Sequence, residues 1–76
     1  MMIYQVVFRR SGRHVETVYW NGPLHETQKL ARIIAFDWAA DTFLITDFDG
    51  GGAEVYSEQG PFDGVRESDA AERGVH

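Results

Sequence analysis

Residues 23–42, PLHETQKLARIIAFDWAADT, decide how the rest of the chain is read, because they carry its one helical pattern. Leu24, Thr27, Ala31, Ile34, Ala35 and Trp38 recur at spacings of three and four. At about 100° per residue that spacing places them on one side of a helix. Asn21-Gly22 interrupts the stretch before it, Pro23 suits a first helical turn, and Glu26 puts negative charge near the positive end of the helix. The helix is expected to stop near Asp41, since a period of two begins at Thr42. Lys29, Ile33, Phe36 and Ala40 project to the opposite side, where a helix lying on a sheet is ordinarily polar. Ile33 and Phe36 there point to a partner or to a tail folding over them.

On both sides of this stretch the pattern alternates. Ile3 to Arg9 and Arg13 to Trp20 read as strands joined at Ser11-Gly12, where Gly supplies the positive φ of a tight hairpin. With Arg10 facing Arg13, one face pairs Phe8 with Val15, Val6 with Thr17, and Tyr4 with Tyr19. That face is taken as the core face under the helix. The other face pairs Arg9 with His14, Val7 with Glu16, Gln5 with Val18, and Ile3 with Trp20. Thr42 to Phe48 and Ala53 to Glu58 form a second hairpin across Asp49-Gly50-Gly51-Gly52, with Phe43, Ile45 and Val55 inward and Leu44, Thr46, Glu54 and Tyr56 outward. The expected fold is α+β, a ββαββ chain making a four-stranded, mainly antiparallel sheet in the order 2-1-3-4 with one helix on one face, the alternative being a sheet with strands 2 and 3 adjacent and parallel. Residues 1–58 make one domain. Residues 59–76 lose periodicity and read as a mobile polar C-terminal tail, with Phe62 and Val65 as its anchors.

Composition narrows the class of protein. The chain has 76 residues, no Cys, a net charge of -5 and 43% hydrophobic residues, as expected of one soluble domain. No apolar run reaches the roughly 18 residues of a membrane span. No basic stretch followed by an apolar one opens the chain, so no secretory signal is expected. A Cys-free chain has neither a disulfide framework nor a thiolate metal site, and a cytoplasmic setting follows as the default.

The motifs that bear on chemistry are weak. Asp47, Asp49 and Glu58 fall at positions 1, 3 and 12 of a calcium-type loop, with Gly52 at position 6. Position 5 is Gly51, which offers no ligand, and the flanks are strand-like; a glycine-rich hairpin turn explains the same residues. His14, His25 and His76 have no ligand partners at helical or strand spacing, and no serine sits in a glycine-framed elbow. No catalytic residue, metal ligand or cofactor is therefore assigned, and the chain is read as a non-enzyme.

The strands FRRSGR, the helix core KLARIIAFDWAAD and the closing hairpin TDFDGGGAEVYSE together resemble a loose group of short uncharacterised bacterial proteins. The likeness is one of strand-strand-helix-strand-strand pattern over Ile3 to Glu58. It implies the same fold and a bacterial origin, and no mechanism.

A surface is the remaining candidate. On the expected register Ile3, Val7, Val18, Trp20, Leu44 and Tyr56 lie on the sheet face away from the helix, and such a patch favours association. Ile33 and Phe36 form a second surface. The expected function is a small noncatalytic protein-interaction domain that self-associates, as a homodimer, through this face or an edge strand. The alternative is a nucleic-acid contact at Arg9, Arg10 and Arg13 on the first hairpin tip. A net charge of -5 weighs against nucleic acid as partner, and carboxylates at the helix end offer those arginines a structural role.

Overall fold

The structure, a computed structural model, describes residues 3–62. Strands β1 (Ile3–Arg10) and β2 (Arg13–Asn21) precede helix α1 (Leu24–Asp37), and β3 (Thr42–Asp47) and β4 (Ala53–Gln59) follow it. The sheet runs β2-β1-β3-β4 with every neighbouring pair antiparallel, and α1 packs on one face. This is the α+β fold and strand order that the sequence predicts.

The core lies between α1 and the two central strands. Tyr4, Val6 and Phe8 of β1 and Phe43 and Ile45 of β3 are buried, and they meet Ala31 and Ala35 of the helix. Small side chains on α1 let it sit close to bulky ones on the sheet. Thr27 is fully buried among them; its hydroxyl donates to the Pro23 carbonyl at 3.0 Å, so no polar group is stranded. Pro23 is the cap residue rather than the first helical one, with an extended ψ of 153.

The helix stops four residues short of Asp41. Ala39 turns left-handed at φ 56, the Ala40 amide donates back to the Ala35 carbonyl at 2.8 Å, and the Ala39 amide to Phe36 at 3.2 Å. These are the paired bonds of a Schellman ending, with Ala where Gly is usual. Trp38 is therefore 48% exposed rather than inward, and Ala40 is buried rather than outward. Ala39→Gly relieves the strain of a side chain at positive φ and is expected to stabilise the domain by about 1 kcal/mol. Chemical denaturation with an unchanged m-value checks this, and a loss of stability would contradict it.

Each hairpin departs from the simple register by one residue. The tip pairs Arg10 with Arg13 and Arg9 with His14 as expected, around a turn whose Ser11 and Gly12 both have positive φ (52 and 78). Beyond the tip a bulge inserts Val15, so Phe8 faces Glu16, Val6 faces Val18, and Tyr4 faces Trp20. The second hairpin inserts Val55 in the same way, so Ile45 faces Tyr56 while Thr46 faces Glu54. A one-residue insertion sends every side chain beyond it to the other face. Val18, Trp20 and Tyr56 thus lie on the helix side of the sheet, and their expected place on the outer face is corrected. Thr17 and Tyr19 take the outer face of β2 instead. Val55, expected inward, is 38% exposed.

The domain also runs further than residue 58. β4 continues to Gln59, the Gly60-Pro61 bond is cis, and Phe62 is buried against Phe43 with ring centroids 5.6 Å apart. The remainder of the expected tail, residues 63–76 with Val65, lies outside the described residues.

Candidate interaction surface

The sheet face turned away from α1 carries no covering layer among the described residues. Alternation on the central strands places Ile3, Gln5, Val7 and Arg9 of β1 there, beside Thr42, Leu44 and Thr46 of β3. Ile3, Val7 and Leu44 are half-buried by their neighbours, so three of the six expected outer residues are where the sequence puts them. In place of the other three stand Tyr19, which the expected register put on the core face, and Phe48, which continues the outward set of β3. Tyr19 and Phe48 meet edge to face, with centroids 5.3 Å apart and planes at 77°, and remain 56% and 53% exposed. Phe48 is held at the end of β3 by its amide, which donates to the Ile3 carbonyl at 3.0 Å.

Polar groups on this face are largely satisfied within it. The Thr46 hydroxyl lies 3.4 Å from the Gln5 carbonyl and 3.5 Å from its side-chain oxygen. His14 Nε2 and the Thr17 hydroxyl are 2.7 Å apart. Covering hydrogen-bonded groups costs much less than covering unpaired ones. The charged residues Arg9 and Glu54 sit toward the ends of their strands, leaving the middle neutral.

On the helix side, β4 is fastened to α1 by a polar cluster. Arg32 Nε donates to both oxygens of Glu58 at 2.9 and 3.1 Å, and Nη2 lies 2.9 Å from Oε1. The Tyr56 hydroxyl donates to Glu58 at 2.7 Å and lies 3.5 Å from Arg32 Nη2. Burial works against the Arg32 charge, but the hydrogen bonds it donates to Tyr56 and Glu58 prevail and raise its pKa above the ordinary value. Arg32 is thus charged throughout the range in which proteins fold. Tyr56 is a bridge between helix and edge strand, packed at 6.1 Å on Phe43.

The second expected pair, Ile33 and Phe36, lies on α1. Ile33 is half-buried, while Phe36 is 38% exposed and lines an open groove of about 440 Å³ at the C-terminal end of α1. Arg9, Arg10 and Arg13 gather at the same end of the molecule. Arg10 Nη1 donates to the Trp38 carbonyl at 3.3 Å, tying the hairpin tip to the helix ending. Asp41 accepts the Ser11 amide at 2.8 Å, so this carboxylate serves the hairpin backbone. At the opposite end Asp47 accepts the Gly50 amide at 2.8 Å and Asp49 the Ile3 amide at 3.2 Å. These carboxylates hold the glycine turn together. Among the described residues no group of three His, Cys, Asp or Glu side chains is placed to hold a metal ion.

Fold and surface together define a small two-layer α+β domain with one open sheet face. No family model, curated protein or solved structure matches the chain. Among the described residues no helix is long and apolar enough to cross a membrane.

Phe48 follows from Leu44 and Thr46 by plain alternation along β3, while the signal that could have found Tyr19 and the inward Tyr56 is in β2 and β4 themselves. Val15 and Val18 are both apolar, yet they stand three apart, which no regular strand can place on one face. Val55 and Tyr56 are adjacent, with the same consequence. Odd spacing between apolar residues in an otherwise alternating strand marks an inserted residue.

Proposed function

We propose that this is a noncatalytic interaction domain that self-associates by packing the outer sheet face of one copy on that of another. The observation that carries the reading is the exposed Tyr19–Phe48 pair, continuous with Ile3, Val7 and Leu44 across a neutral surface. A two-fold contact brings a patch against itself, so a neutral centre lets two chains of net charge -5 meet without facing like charges. Breadth is sufficient: the described chain measures 43 × 31 × 14 Å along its principal axes, against the roughly 800 Å² that each partner gives to a standard interface. The bulges favour the face over the edges. Both lie in the outermost strands, β2 and β4, where a bulge twists the edge away from a pairing strand.

Light scattering or sedimentation equilibrium over micromolar concentrations tests this. The native chain is expected to show a concentration-dependent dimer. Tyr19→Ala and Phe48→Ala should each weaken it about tenfold, the effect of losing about 1.4 kcal/mol at an aromatic anchor. Trp38→Ala, on the far side of the molecule, should leave the mass unchanged. A native monomer at every concentration, or equal weakening by all three substitutions, would rule the reading out.

A further inference from the structure

The outer sheet face differs from one end to the other, and that asymmetry governs how two copies meet. At the hairpin-tip end Arg9 stands beside His14 on β2 and Thr42 on β3. At the other end the Tyr19 and Phe48 rings meet across β1. Tyr19 is level with Gln5 there, and the Phe48 amide donates to the Ile3 carbonyl. Resting on the outer-face reading above, we propose that the two sheets pack with their strands antiparallel across the interface. Arg9 of each copy then seats on the Tyr19–Phe48 pair of the other. With the two-fold axis crossing β1 between Gln5 and Val7, Arg9 of one copy lies over Ile3 of the other, between the two rings.

The first support is an unengaged cation. Among the described residues the exposed Arg9 guanidinium has no hydrogen-bond or ion-pair partner. Arg10 by contrast donates to the Trp38 carbonyl, and Arg32 is held by Glu58.

The second is a matching acceptor. An edge-to-face pair leaves ring faces open, and both rings are more than half exposed. An open aromatic face attracts a guanidinium placed within about 6 Å of the ring centroid.

The third is charge. Asp49 and Glu54 lie at the aromatic end, where Asp49 accepts the Ile3 amide at 3.2 Å and Glu54 is level with Thr46. Arg9, Arg10 and Arg13 gather at the other end. Asp37 and Asp41 share that end beside the helix ending, with Asp41 engaged by the Ser11 amide. Antiparallel packing lays the basic end of each copy on the acidic, aromatic end of its partner. A two-fold axis along the strands lays like ends together instead and brings the two Arg9 side chains close, and like charges so placed oppose association.

Dimer dissociation constants from sedimentation equilibrium test the arrangement. Arg9→Ala is expected to weaken the dimer about tenfold, because each dimer holds two such contacts. Thermal unfolding of this variant should match the native chain, since the side chain is exposed. Within one copy Tyr19 is level with Gln5, four residues along β1 from Arg9, or about 13 Å, so the two side chains couple only between copies. Arg9→Ala with Tyr19→Ala should therefore weaken the dimer by clearly less than about a hundredfold, the product of the separate losses. A dimer strengthened by Arg9→Ala would show like ends together and overturn the antiparallel arrangement. An unchanged dimer, or losses that multiply strictly, would overturn the Arg9 contact. If Tyr19→Ala and Phe48→Ala weaken the dimer and Arg9→Ala does not, the arrangement alone fails. If neither aromatic substitution weakens it, or the native chain is a monomer throughout, the outer-face reading fails and the arrangement with it.

Discussion

Phe43→Ala is expected to lower the unfolding free energy by about 3–5 kcal/mol, a large share of what holds so small a domain together. Phe43 is 1% exposed at the centre of the sheet. Its ring lies 6.2 Å from Phe8, 6.1 Å from Tyr56 and 5.6 Å from Phe62, so it joins β1, β4 and the segment after β4. Truncation removes the transfer energy of the ring and leaves a cavity that three flanking aromatics cannot fill without moving. Small domains bury a smaller fraction of their surface, and total stability falls toward the low end of about 5–15 kcal/mol. A loss on this scale therefore leaves a large unfolded fraction at room temperature. Urea unfolding followed by far-ultraviolet circular dichroism measures it, with Phe43→Leu as the milder variant that retains most of the volume. A shift below about 1 kcal/mol, the size of an ordinary point substitution, would show that Phe43 is not the centre of the core.

Phe62→Ala is the second. If residues 59–76 formed only a solvated tail, this change would fall within about 0.5 kcal/mol of neutral, as surface substitutions do. Phe62 is instead 5% exposed and packed on Phe43 with the rings inclined at 33°, so a loss of about 3 kcal/mol is expected. The double variant gives an independent check. Two residues in contact lose less together than the sum of their separate losses, by about 0.5–3 kcal/mol, whereas distant residues add. Strict additivity would mean that the two rings do not support each other.

Both effects bear on how much of the molecule is legible in the chain alone. The helix, the four strands and their order follow from features within a few residues of each other: apolar spacing of three and four, alternation, and turns at Ser11-Gly12 and Gly50 to Gly52. The inward sets Tyr4, Val6, Phe8 and Phe43, Ile45 also follow, because β1 and β3 are regular. The helix ending is hidden because Ala39 takes the left-handed turn that a Gly would have announced. The outer surface is half legible. Ile3, Val7 and Leu44 lie on the two regular strands, while Val18, Trp20 and Tyr56 lie beyond bulges, where simple alternation assigns the wrong face. Phe62 is recognisable as an anchor, but its burial depends on packing against Phe43, nineteen residues earlier, which no local pattern describes.

By itself the sequence determined which segments are helix and strand and in what order they lie, since hydrogen-bonding period and turn conformation are properties of neighbouring residues. Which aromatics face solvent was decided only by the tertiary structure. Val15 and Val55 bulge where packing under α1 draws Val18 and Tyr56 inward, and that gain in burial outweighs the ladder bonds each bulge disrupts. Once a strand yields one residue, every side chain beyond it changes face, and the outward Tyr19, which meets Phe48 at the end of regular β3, is the consequence.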